Sequence, residues 1–344
     1  MKIGLVGYQG SGKSTLFHWL TGVAPDPALA HIGQSAMAPI PDPRIAQLCK
    51  IYSPKKVTLA ALELVDTPGL SRTHEGNAAR LAMIREAGCL VFVVAAFDAT
   101  DPLAQFRSFD EDLVLADMEI VGNRIGRVED TLKKPLPRLE HQQYEHEHTT
   151  LKLVLAAMEA GKPLRESHMT DEQQKVTRAF RLLSEKPRLV IVNTADDESS
   201  PERFTSLSTP EMPVLAVPAG LELELSKMTL ADRADFVREM GIVTTDRDQL
   251  IRTLLKTSGQ TTFFTAGEPE VRTWLLRQGG TALEAADGIH TDLARGFIRA
   301  EVMTASDLVR LGSERDVKAQ HLVRQEPKDY VVKDDDILLI RFSV

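Results

Sequence analysis

The segment Gly7-Tyr8-Gln9-Gly10-Ser11-Gly12-Lys13-Ser14 constrains this chain more than any other. It matches the glycine-rich phosphate loop in full, and its flanks agree with that reading. The apolar run 3–6 reads as a strand before it, and Thr15-Leu16-Phe17-His18-Trp19-Leu20 reads as the helix after it. In such a loop the glycines let the backbone curl, so that successive N–H groups point at a β-phosphate. The helix N-terminus adds the positive end of its dipole. On this reading Gly10, Ser11, Gly12, Lys13, Ser14 and Thr15 bind a nucleotide. Lys13 reaches the β- and γ-phosphates, and the Ser14 hydroxyl ligates Mg²⁺.

A second motif, Asp66-Thr67-Pro68-Gly69, follows the apolar run 59–65. An acidic residue at the end of a buried strand can hold Mg²⁺ through water, which makes Asp66 the second metal residue. Gly69 has no side chain to keep its N–H from a γ-phosphate. Lys13 and Gly69 therefore carry the catalytic expectation. Together the two motifs describe a switch in which loss of the γ-phosphate releases a loop. Base recognition is expected after the run 189–192, from Asn193 and Asp196 in Asn193-Thr194-Ala195-Asp196. Asp196 can accept two hydrogen bonds from guanine. Thr194 cannot stack over the ring as the lysine of guanine-specific proteins does, so ATP and GTP both stay open.

Around these motifs the chain divides by texture. Short apolar runs at 3–6, 59–65 and 90–96 alternate with polar or amphipathic stretches, the rhythm of βαβ units on a mostly parallel sheet. The rhythm resumes at 189–192 and 214–217. The expected α/β domain is thus discontinuous, 1–110 and 185–258, around an insertion at 111–184. In the insertion Val114, Met118, Val121, Ile125, Val128 and Leu132 form a heptad seam, and Pro135 and Pro137 end that helix. A second helical stretch carries Leu151, Val154, Leu155 and Met158 and stops near Gly161. A third begins at Thr170 with a capping box to Gln173 and carries Val176, Phe180 and Leu183. An antiparallel hairpin is the simplest object, with a bundle lying flat on the sheet as the alternative. Residues 259–344 suffice for a small α+β domain, with strands at 261–265, 297–302 and 337–342 and helices at 268–277 and 305–311.

Bulk properties add limits. No apolar run approaches the roughly 18 residues that span a bilayer, so no membrane is expected. Two cysteines in 344 residues fit a reduced cytoplasmic setting and no disulfide scaffold. A net charge of −8 does not advertise nucleic-acid binding by the whole chain. Any RNA contact would use local basic residues, such as Lys133, Lys134 and Arg138, or Arg295, Arg299, Arg310 and Arg324.

Taken together, these residues resemble the YchF / Obg-like ATPase family along essentially the whole chain. Pro41-Asp42-Pro43-Arg44, Leu115-Ala116-Asp117-Met118-Glu119 and Lys186-Pro187 fit its pattern. So do Thr265-Ala266-Gly267, Gly288-Ile289-His290-Thr291-Asp292, Gly296-Phe297-Ile298-Arg299-Ala300-Glu301 and Lys328-Asp329-Tyr330-Val331-Val332, which look like its β-grasp TGS domain. The resemblance implies a P-loop domain with an inserted α-helical coiled-coil hairpin and a C-terminal TGS domain. It also implies Mg²⁺-dependent hydrolysis with ATP preferred over GTP, association with the ribosome through its large subunit, and a monomer.

The usual water-orienting glutamine after the Asp-x-x-Gly motif is Leu70 here, and the family also carries an apolar residue there. Three departures stand out. Ala30 occupies the register of the family's first-switch threonine, with Ser35 out of step. The loop Phe97-Asp98-Ala99-Thr100-Asp101-Pro102 lacks the family's histidine, and the base motif ends in Asp196 where ATP-preferring members have glutamate. His74 is the nearest histidine after Gly69, available either as a substitute water-positioning group or as a plain solvated residue. His141, His146 and His148, read as lying beyond the hairpin tip, are expected to be solvated. The functional expectation is a slowly hydrolysing nucleotide switch on the ribosome; the alternative is a nucleotide-sensing module with little or no hydrolysis. A small-molecule P-loop kinase is disfavoured by the lack of an arginine-rich lid.

Overall fold

The computed structural model describes residues 1–97, 101–164, 169–196, 204, 208, 209 and 212–343. The chain packs as two units, Met1–Ala36 with Glu63–Thr245, and Met37–Leu62 with Asp246–Val344.

The first unit is built on strands β1 (Lys2–Val6), β2 (Gln34–Pro39), β4 (Ala61–Asp66), β5 (Cys89–Ala96), β6 (Arg188–Thr194) and β7 (Val214–Val217), in the order β2-β4-β1-β5-β6-β7. From β4 to β7 every pairing is parallel. A parallel sheet covered on both faces needs near-continuous apolar strands, and β5 and β6 are buried over almost their whole length. The apolar run 59–65 forms β4 from Ala61 onward, and just before it Val57–Thr58 forms a separate short strand, β3, of the second unit. Helix α1 (Lys13–Thr21) follows β1 through the glycine-rich loop, and α3 (Asn77–Arg85) follows β4.

The insertion is a helical hairpin. Helix α4 (Pro102–Leu132) starts earlier than its seam suggested, because Asp101 caps it by accepting from Leu103 N at 2.9 Å and Pro102 suits the first turn. Its buried stripe also differs in the first half. Phe109 and Leu113 pack into the sheet core with Val6, Phe92 and Val192, while Val114 and Met118 already turn to the hairpin core that Val121 and Ile125 continue. Positions 98–100 of the segment Phe97–Pro102, which lacks the family's histidine, lie outside the described residues. Helix α5 (Arg138–Glu159) returns antiparallel, with Arg124 paired to Glu147 near the tip and Met118 beside Met158 at the base. Val121, Ile125, Leu151, Val154 and Met158 form a core of their own, as a hairpin requires and a bundle flat on the sheet does not.

The three histidines lie on α5 itself, not beyond the tip. His148 is 2.9 Å from Glu129 and His141 is 3.4 Å from Glu145. Helix α6 (Asp171–Arg178) has the expected capping box at Thr170 and Gln173. It ends before Phe180 and Leu183, where Arg181 turns the chain at φ 47.

The second unit has the sheet order β11-β10-β12-β8-β9-β3, with β8 (Gln260–Ala266), β9 (Val271–Arg277), β10 (Phe297–Thr304), β11 (Arg324–Glu326) and β12 (Asp336–Phe342). First and last strands β8 and β12 lie parallel side by side, and the helix Ala282–Ile289 covers the sheet. Residues 268–277, expected to be helical, form β9. Pro269 stops a helix there, and the hairpin partner β8 pairs from Gln260↔Arg277 to Ala266↔Val271, so non-local pairing overrides the local pattern. The helix Ala305–Leu311 is as expected. Helix α2 (Arg44–Tyr52) contributes Leu48 to a core with Phe264, Val271 and Leu308. Arg44 is held by Asp42, Asp334 and Asp335 at 2.6, 3.2 and 3.3 Å.

Candidate functional site

The two motifs meet at the ends of β1 and β4, the edge where open parallel sheets place ligands. Gly12 takes φ 93 and caps α1 with no side-chain bond, so the first-turn N–H groups of α1 have no capping side chain in the way of an anion. Lys13 folds back so that Nζ donates to the Tyr8 carbonyl at 2.8 Å. The side chain is almost fully buried, and burial lowers its pKa to about 8 against the opposing pull of Asp66. Gly69 lies against it: a Cβ there would stand 2.8 Å from Lys13 Nζ and 2.8 Å from Gln9 N. Only glycine fits that gap.

Ser14 Oγ donates to Asp66 Oδ2 at 2.6 Å, while Asp66 Oδ1 is buried with no hydrogen-bond partner. Burial raises the pKa of Asp66, partly offset by the Ser14 hydrogen bond and the Lys13 charge. A half-buried carboxylate with one unsatisfied oxygen beside a hydroxyl is a donor set for a hard cation, so the residues present fit Mg²⁺. Gly10, Lys13, Ser14, Asp66 and Gly69 line one cavity of about 330 Å³. Ser11 is buried and its hydroxyl unpartnered, and Thr15 lies half-buried in the first turn of α1.

The base-reading pair divides. Asn193 is buried; its Nδ2 donates to the Ser11 carbonyl at 3.1 Å and its Oδ1 accepts from Ala219 N at 3.1 Å. It therefore ties the phosphate loop to β6 and to the helix Ala219–Ser226. Asp196 is exposed in the turn after β6, near Gly220, and does not line the phosphate cavity.

Leu70 is fully buried and packs with Val6, Tyr8 and Phe92, held by its backbone bonds to Gly7 and Gln9. It faces the core and not the cavity. Ala30 does line the cavity, at the end of a short 3₁₀ turn, whereas Ser35 points to Glu63 at 2.8 Å. His74 faces a different cavity with Tyr8, Arg72 and Asp112, where its ring is 70% exposed and 3.7 Å from Asp112. It is a solvated residue here, away from the phosphate loop.

Cavity residues missed in the sequence include His31 and Arg80. The available signal for Arg80 was its i, i+3 spacing from Asn77 at the start of α3. Of the basic residues considered for RNA, Lys133, Arg295, Arg310 and Arg324 are paired with nearby carboxylates.

Comparison with known proteins agrees with this geometry. Residues 2–124 match the family of 50S ribosome-binding GTPases. Residues 260–343 match the YchF-GTPase C-terminal family, described as a protein of unknown function. The chain is 33% identical over 366 residues to the "Ribosome-binding ATPase YchF" of Bacillus subtilis, covering 99% of each. It is 33% identical to "Obg-like ATPase 1" of Oryza sativa subsp. japonica, covering 100% of this chain and 92% of the relative. The solved Schizosaccharomyces pombe YchF GTPase shares the fold, with a TM-score of 0.86 at 24% identity over 99% of this chain and 97% of that one. With a P-loop sheet, a helical hairpin, a C-terminal β-grasp domain and this identity over its full length, the chain belongs to the YchF / Obg-like ATPase family.

Proposed function

We propose that this protein is a nucleotide-dependent switch that binds and slowly hydrolyses ATP or GTP and docks on the ribosome. The observation that carries the reading is the convergence of Lys13, Gly69 and the Ser14–Asp66 pair on one cavity. Lys13 supplies a buried cation at the phosphate loop, and the Gly69 backbone is free to meet a γ-phosphate. Ser14 and Asp66 would hold Mg²⁺, which when bound neutralises charge on the β- and γ-phosphates. Asn193 keeps the loop in shape, and Asp196, exposed after β6, is the candidate base reader. Leu70 is packed in the core and cannot orient a water, which supports slow turnover.

The relatives' names, which include "Ribosome-binding ATPase", support ribosome docking by this chain. On this reading the switch domain is 1–110 with 185–258, and the hairpin 111–184 and the domain 259–344 are the docking parts. The partner is the large subunit, and the protein works as a cytoplasmic monomer.

Co-sedimentation with purified ribosomal subunits tests the switch. Several-fold more protein should pellet with the large subunit in a non-hydrolysable triphosphate than in the diphosphate. Equal pelleting in both states, or none in either, would contradict it.

A further inference from the structure

Arg80 is a cation that lines the phosphate cavity and pairs with no carboxylate among the described residues. It sits on α3, half-buried, and lines the cavity shared by Lys13, Ser14, Asp66 and Gly69. One edge of the guanidinium is fixed: Nη1 donates to the Glu75 carbonyl at 3.1 Å and to Asn77 Oδ1 at 3.2 Å. Asn77 is itself buried and clamps the loop after Gly69, accepting from Ser71 N at 2.8 Å and donating to the Ser71 carbonyl at 2.9 Å. Both contacts are to neutral acceptors.

Arg85, Arg124, Arg181, Arg188 and Arg233 of this unit each pair with a carboxylate, while Arg72, Arg107, Arg127, Arg138 and Arg178 do not among the described residues; of the unpaired ones only Arg80 lines the phosphate cavity. Arg80 pairs with none among the described residues, and its remaining N–H groups have no hydrogen-bond partner there. A half-buried guanidinium without an anion loses solvation for no return unless a ligand supplies the charge.

Its position says which part of a ligand it meets. Lys13 comes from the phosphate loop. Arg80 comes from the helix beyond the Asp66–Gly69 loop, the side where a γ-phosphate lies if the proposed function holds. We propose that Arg80 is a catalytic residue supplied in cis, whose guanidinium binds the γ-phosphate oxygens and stabilises their charge during hydrolysis. This inference rests on the nucleotide-switch reading.

In the step it serves, a water oxygen forms a bond to the γ-phosphorus as the bond to the β–γ bridging oxygen breaks. The electron pair leaves with the nucleoside diphosphate, and the water proton ends on inorganic phosphate. Arg80 moves no proton. It takes up charge spread over the equatorial oxygens, as arginines do in other phosphoryl transfers. Asn77 is the positioning residue that couples this cation to the loop bearing Gly69.

The test uses the full-length protein and the variants Arg80→Ala, Arg80→Lys and Lys13→Ala. Diphosphate binding, single-turnover phosphate release, and capture of the diphosphate with aluminium fluoride would be measured for each. Arg80→Ala should bind the diphosphate within about 2-fold of wild type, yet release phosphate about 1,000-fold more slowly and lose the aluminium fluoride complex. Arg80→Lys should recover part of the rate, since it keeps the charge without the fork, and it covers the case that the alanine variant folds poorly. An Arg80→Ala rate within about 2-fold of wild type, or no phosphate release by wild type at all, overturns the assignment while leaving nucleotide binding intact. Lys13→Ala binding nucleotide like wild type would instead remove the reading on which the assignment rests.

Discussion

Asp117→Ala should destabilise the first unit by about 3–5 kcal/mol, because it leaves a nearly buried cation without its charge partner. Asp117 is fully buried on α4 and accepts three bonds: from Arg85 Nη1 at 2.6 Å, Ser184 N at 2.8 Å and Ser184 Oγ at 2.8 Å. These tie α3, the root of the hairpin and the segment entering β6 to one carboxylate. Without it, Arg85 Nη1 keeps only the Arg181 carbonyl at 3.2 Å, and two Ser184 donors go unmet. Urea or thermal unfolding checks this. For a unit of this size the midpoint should fall by roughly 10 °C. Asp117→Asn, which keeps an acceptor but not the charge, should fall less. A loss below about 1 kcal/mol in Asp117→Ala would mean that the hairpin is rooted elsewhere.

The second large effect is on binding. Gly12→Ala should weaken nucleotide affinity by about 100-fold or more, close to 2.7 kcal/mol. Two costs combine. The backbone at φ 93 disfavours any side chain, and a Cβ would stand 2.1 Å from Asn193 Nδ2. Asn193 cannot step aside without giving up the Ser11 carbonyl and Ala219 N. Gly10 is the internal control. Its φ of 81 is also left-handed, but a Cβ there meets nothing within 4 Å, so Gly10→Ala should show the backbone strain alone. Calorimetric titration of both variants separates the terms. Equal, small losses would show that Asn193 does not brace the loop.

The chemistry-bearing loops were legible in the sequence because each is contiguous: Gly7 to Ser14 and Asp66 to Gly69 carry their own spacing. Fully covered strands such as β5 were legible as unbroken apolar runs, and the Thr170 capping box was read from four residues. What failed was non-local. Residues 268–277 were read as helical despite Pro269, and pairing with β8 fixes them as β9. Likewise Val57 and Leu48 lie between two strands of the first sheet in sequence, yet they pack with Val271 and Phe264. The first turns of α4 were not read as helix because Phe109 and Leu113 answer to the sheet, while the seam from Val114 onward answers to the hairpin. At the site, the tie from Asn193 to Ser11 spans 182 positions, and no local pattern reports it. Arg80 was passed over for a related reason. An arginine one turn into a surface helix reads as solvated until the cavity it lines is known.

The central claim is that Lys13 and the loop around it hold a nucleoside triphosphate. Titration calorimetry of ATP and of GTP with Mg²⁺, into wild type and Lys13→Ala, tests it most directly. At least one nucleotide should bind wild type in the micromolar range or tighter, with affinity falling at least about 100-fold in Lys13→Ala. Equal binding by the two proteins, or no binding of either nucleotide to wild type, would contradict the account at its first step.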